Sequence, residues 1–154
     1  MIAFFKSICV FLCKRQRIHR NGTNAKKGEV INMTVNEAIA AVGGTVGEAV
    51  SRETLLNWLF EIETAVTEEI AKSHEGEYST LSAEEFFKNG ERQLFATDPY
   101  SNLYIHYLIM KTDDALCDTE RYLNSAARFS ASYTAYADWY NRTYMPLTVG
   151  RIKV

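Results

Sequence analysis

The residues in this 154-residue chain with side chains able to do chemistry are three histidines, three cysteines and several pairs of neighbouring carboxylates. Histidine ligates metals or moves protons near neutral pH, a cysteine thiolate is a nucleophile or soft ligand, and carboxylates bind hard cations or share acid–base work. Their spacing argues against each of these uses. His19, His74 and His106 are far apart, and Cys9-x3-Cys13 with His19 is an incomplete zinc set. His106, between Ile105 and Tyr107, is expected to be packed or hydrogen-bonded. Adjacent helical positions point about 100° apart, so Glu68/Glu69, Glu84/Glu85 and Asp113/Asp114 do not converge on one substrate. Together with Glu61/Glu63 they are expected to form a solvated acidic face. Asp114 and Asp118, four apart, share a helix face suited to a cation or to an arginine of another subunit. There is no P-loop, GxGxxG, GxSxG or HExxH motif. The expectation is a protein with no catalytic residue, no metal site and no cofactor, and hence not an enzyme.

Composition points the same way. Apolar residues make up 47% of the chain and charged residues 23%, which suits one globular domain with a real core. Three cysteines (Cys9, Cys13 and Cys117) form no even set for a disulfide framework, in keeping with a reducing compartment. The net charge of −2 conceals an asymmetry: residues 1–32 carry +6 and residues 33–154 carry −8. Nine tyrosines and two tryptophans could stack on bases, but nucleic-acid grooves interleave aromatics with Lys and Arg. Here the body is acidic and its aromatics fall at helix-core spacing, so specific nucleic-acid recognition is not expected.

Residues 1–32 are set apart as an N-terminal extension. The apolar run Ile2–Cys13 falls short of the roughly 20 residues of a spanning helix, and its charge follows it, unlike a secretory signal. A short interfacial helix is the physical alternative. Gly28-Glu29-Val30 can be encoded with a ribosome-binding core at a workable distance before Met33, so the native start is expected at Met33 and the extension to be non-native or disordered.

The elements expected in residues 33–154 make an all-α fold, a small bundle of about four helices at approximately 34–42, 52–73, 99–118 and 119–144. Thr34-Val35-Asn36-Glu37 is a capping box for the first, which should stop at Gly43-Gly44. Ser51 caps the second, whose stripe is Leu55, Leu59, Ile62, Val66 and Ile70. Residues 74–98 are expected to be a long loop with one short helical turn at Ser82–Glu85 and a turn at Asn89-Gly90. Asp98 should cap the third helix, with Pro99 in its first turn. The fourth carries a heptad-like seam of Tyr122, Ala126, Phe129, Tyr133, Tyr136 and Tyr140. After Pro146 an extended tail is expected.

From Met33 onward the chain resembles the head–tail connector (adaptor) proteins of phages and prophages. The stretches that carry the resemblance are Met33-Thr-Val-Asn-Glu-Ala-Ile39, Asn57-Trp58-Leu59, Leu103-Tyr-Ile-His-Tyr-Leu108 and Tyr136-Ala-Asp-Trp-Tyr-Asn-Arg-Thr143, spread over residues 33–147. Two segments depart from the family's pattern: Gly43–Val50, where members often carry a Pro/Tyr-containing loop, and Glu63-Thr64-Ala65, in place of an Asp-Gly-Arg turn. The resemblance implies a structural protein of the virion neck, assembled in the host cytoplasm. Its protomers would form a homo-oligomeric ring beneath the portal protein and receive a neck/stopper or tail-completion protein. Contacts are then expected from the 74–98 loop through Phe86 and Phe87, and from the 146–154 tail through Leu147, Val149 and Ile152, supported by Trp139, Tyr140 and Arg142. The alternative expectation is a monomeric or dimeric helical binding or regulatory module with a membrane-associated N-terminus.

Overall fold

A computed structural model describes residues 32–46, 49–75 and 82–147. The N-terminal extension up to Ile31, and Val149 and Ile152 of the tail, lie outside the described residues. Asn32, counted above with the extension, belongs to the domain's first strand.

Strand β1 (Asn32–Thr34) runs straight into helix α1 (Val35–Val46). The capping box closes the junction: the Glu37 amide donates to Thr34 Oγ1 at 3.3 Å, and the Thr34 amide donates back to the Glu37 carboxylate at 2.8 Å. Val35, Ala38, Ile39 and Val42 recur at helical spacing and are all buried. The expected stop at Gly43-Gly44 is corrected, because α1 continues through both glycines to Val46. Neither glycine has φ in the left-handed region that would end the helix.

Helix α2 (Arg52–Ala65) starts at Ser51, which accepts from the Thr54 amide at 3.2 Å. It widens into a π-helical turn over Val66–Ile70 and tightens to a 3₁₀ turn over Ala71–Ser73. The sequence explains the widening. Its last core positions, Ile62, Val66 and Ile70, are spaced by four residues, which would rotate off the buried face of a 3.6-residue helix. The wider turn keeps Val66 and Ile70 inside.

The short helical turn expected near Ser82–Glu85 is present, and the rest of the 74–98 loop is corrected by a strand. Helix α3 (Ala83–Lys88) buries Phe86 against Phe60, and strand β2 (Gln93–Thr97) pairs antiparallel with β1. The register matches Asn32 with Thr97 and Thr34 with Gln93. Gly90 lies so close to Asn36 that a Cβ there would fall 2.5 Å from its amide, while the Asn36 amide donates to the Gly90 carbonyl at 2.9 Å.

Helix α4 (Asn102–Ala115) begins later than expected, and Asp98 does not cap it. β2 holds the chain extended through Thr97, and the Tyr100 amide then closes a turn on the Thr97 carbonyl at 2.9 Å. Asp98 instead accepts the Ser101 hydroxyl. The helix ends in a Schellman motif, in which the Cys117 amide bonds the Asp114 carbonyl and the Asp118 amide bonds the Asp113 carbonyl. Cys117 occupies the left-handed position at φ 57°. Asp118, expected to share a face with Asp114, is instead the N-cap of helix α5 (Thr119–Thr143), accepting from the Arg121 amide at 3.1 Å. The tyrosine seam of α5 packs antiparallel along α4, with Tyr107 on Phe129, and reaches Tyr100 in the turn before α4 through Tyr136. Among the described residues the fold is predominantly all-α, with one short two-stranded sheet tying the start of the domain to its middle.

Candidate interaction surface

The C-terminal end of α5 carries an aromatic cluster. Tyr136 and Tyr140 are buried, and Trp139 lies between them half-buried, 5.2 Å from the Tyr100 ring. Tyr140 meets the Tyr144 ring at 4.3 Å, Phe95 at 6.0 Å and the edge of His74 at 4.9 Å. Above this base the chain turns back on the end of α2. The Glu75 amide donates to the Met145 carbonyl and the Leu147 amide to the Ser73 carbonyl, each at 3.0 Å, bracketing a bridge between His74 and Pro146. These bonds hold Tyr144 (42% exposed), Met145 (65%) and Leu147 (62%) as an outward-facing apolar lip on a rigid support.

The expected contact residues separate into three groups. Trp139 and Leu147 belong to the lip and its base, with Arg142 exposed in the last turn of α5, where a cation complements the helix dipole. Tyr140 is in the base but buried, and Phe86 is fully buried, so neither offers a surface. Phe87 is 41% exposed, but its ring contacts are Phe60 and Phe86, neither of them part of the lip. Sequence reasoning missed two exposed leucines, Leu116 at the α4–α5 turn and Leu123 off the α5 seam.

The acidic face is corrected at two positions. Glu63 and Asp113 are buried rather than solvated. Glu63 accepts the Tyr104 hydroxyl at 2.5 Å and the Phe95 amide at 2.9 Å, and the same hydroxyl accepts the Ala96 amide at 2.9 Å. This network joins α2, β2 and α4 beneath the aromatic cluster. Burial raises the Glu63 carboxyl above its ordinary value, against the opposing pull of Tyr104, Phe95 and the Arg92 charge. Burial, reinforced by the Glu63 charge, pushes the Tyr104 hydroxyl far up, so it stays a donor. Other carboxylates of α2 and its π-helical turn remain exposed but hold neighbours: Tyr133 donates to Glu69 at 2.6 Å, and Lys111 pairs with Glu61 at 3.2 Å over the faces of Trp58 and Tyr107. His74 is buried, with Nδ1 2.8 Å from the Ile70 carbonyl.

Among the described residues no group of three or more His, Cys, Asp and Glu is placed to hold a metal ion, and no helix is long and apolar enough to cross a membrane. Compared with family models, curated proteins and solved structures, the chain matches none.

Proposed function

We propose that the chain is a structural subunit of virion assembly, a head–tail connector that forms a homo-oligomeric ring between the portal protein and a neck/stopper or tail-completion protein. The observation that carries this reading is the apolar lip of Tyr144, Met145 and Leu147. Large exposed apolar groups on a rigid base favour a protein contact, because they surrender water on docking without first having to be ordered. Tyrosine and tryptophan beneath them supply broad contact area with few rotatable bonds. The resemblance described above names the kind of partner, and the phage-encoded portal is the one to test.

Native mass spectrometry and negative-stain imaging of the full chain across a concentration series, alone and with its portal, test the proposal. Closed rings, or a defined complex with the portal, are expected. A chain that stays monomeric and fails to bind the portal refutes it.

A further inference from the structure

Between α4 and α5, near the end of α1, lies a cleft of about 270 Å³ lined by Thr45, His106, Asp113, Asn124, Ser125 and Arg128, with Arg121 at one end. It lies apart from the lip, and none of its side chains takes part in the contacts described so far. Two groups in it are incompletely satisfied. The Asp113 carboxylate is buried, and its Oδ1 has no hydrogen-bond partner; Arg121 Nη2, at 3.3 Å, gives it a charge but not a well-directed bond. Arg121 is further shared with Asp118, whereas the Arg128 guanidinium meets no acid among the described residues.

The remaining groups sort by what they can still offer. The Ser132 hydroxyl donates to the Arg128 carbonyl at 2.9 Å, so its lone pair takes the proton of His106 Nδ1 at 2.6 Å. That leaves His106 Nε2 an acceptor. Burial, with the Arg128 charge beside it, lowers the His106 pKa and so disfavours the charged ring. Ser125 spends its proton on the Arg121 and Tyr122 carbonyls. Asn124 gives one N–H to the Glu120 carbonyl and keeps another. The cleft thus presents donors at Arg128 and Asn124, and acceptors at Asp113, His106 and Ser125. With Arg121 balanced by Asp113, its net charge is that of Arg128 alone. A monoanion matches that charge and a phosphate dianion does not. The volume sits just below the roughly 300 Å³ at which ligand pockets begin, which suits a group of side-chain size.

We propose that this cleft binds an acidic amino-acid residue, its carboxylate on Arg128 and Asn124 and its N–H directed to Asp113. Such a residue comes from a protein chain, for which a second copy of this acidic body is one source, or as the free amino acid. The proposal does not depend on the connector reading.

The test titrates full-length protein with N-acetylglutamate N-methylamide, with acetate and with N-methylacetamide, following the His106 ring and Asn124 side-chain signals by NMR. The combined probe is expected to bind about tenfold more tightly than acetate, because it also satisfies Asp113. Arg128→Gln should abolish its binding, and Arg128→Lys should retain part of it, with a point charge in place of the fork. Arg128 is exposed and carries no core contact, so these variants keep the fold. Absence of a saturable shift with the combined probe, or an unchanged titration in Arg128→Gln, overturns the proposal. Native mass spectrometry of Arg128→Glu separates the sources. Lost self-association assigns the residue to a neighbouring copy, and self-association retained while probe binding is lost assigns it to another molecule.

Discussion

Replacing Tyr104 with phenylalanine removes one hydroxyl and breaks two bonds in the middle of the domain. The hydroxyl donates to the Glu63 carboxylate and accepts from the Ala96 amide, and all three groups are buried. A hydrogen bond to a charged group contributes about 1.5–3 kcal/mol and a neutral one about 0.5–1.5 kcal/mol. Both partners would remain inside without water, so Tyr104→Phe should cost about 3 kcal/mol, a large share of the roughly 5–15 kcal/mol that holds a domain together. With a denaturant slope of about 2 kcal/mol per molar, the urea midpoint falls by about 1.5 M. Glu63→Gln should cost less, because it removes the charge that burial penalises while keeping an acceptor for the Phe95 amide. The double variant should cost less than the sum of the two, by about 1 kcal/mol or more, since each single change already breaks the shared bond.

The pH dependence separates this network from simple packing. Burial raises the Glu63 pKa above 4.5, so the folded state holds that proton more tightly than the unfolded chain does. The stabilisation that this proton gives is fully present below pH 4.5 and is lost as pH rises through the raised folded value. Glu63→Gln does not titrate, so its penalty relative to the wild type should shrink as pH climbs from 4.5 upward. A Tyr104→Phe cost under about 1 kcal/mol, strictly additive singles, or a Glu63→Gln penalty that grows with pH would each refute the reasoning.

Three further outcomes are expected. Cys117→Gly should raise stability by about 1 kcal/mol in urea melts, because Cys117 holds φ 57° at a position where only glycine escapes the Cβ penalty. Gly43→Ala should raise it by about 0.5–1 kcal/mol, since α1 is helical there and an added Cβ meets no atom within 4 Å. Leu147→Asp should leave the thermal midpoint within a few degrees of wild type, as the side chain is 62% exposed, yet weaken ring formation or portal binding measured by native mass spectrometry.

What the sequence displays is local. Thr34 with Glu37, Ser51 with Thr54, and the apolar stripes of α2 and α5 are signals in which every partner lies within a turn or two, and these elements stand where periodicity puts them. The elements that sequence leaves hidden depend on distant partners. β2 is five residues long, its alternation of Leu94 and Ala96 is interrupted by Phe95, and its partner β1 lies some sixty residues earlier. At Asp98-Pro99 a good local cap yields to the strand before it, because β2 must reach Thr97 to pair with Asn32. Glu63 and Asp113 look like surface carboxylates by residue type, and only the tertiary arrangement brings Tyr104 and Phe95 to one and Arg121 to the other. The cleft has the same origin. Arg121 and Arg128 are ordinary exposed cations two turns apart on α5, and His106 and Asp113 are two turns apart on α4. Antiparallel packing sets His106 opposite Ser132 and Asp113 opposite Arg121, so a row of surface residues becomes a cavity with donors on one wall and an unsatisfied buried acceptor on the other. Polar residues that pair across elements are therefore the ones to interrogate first in a helical chain like this one, since periodicity already accounts for the apolar ones.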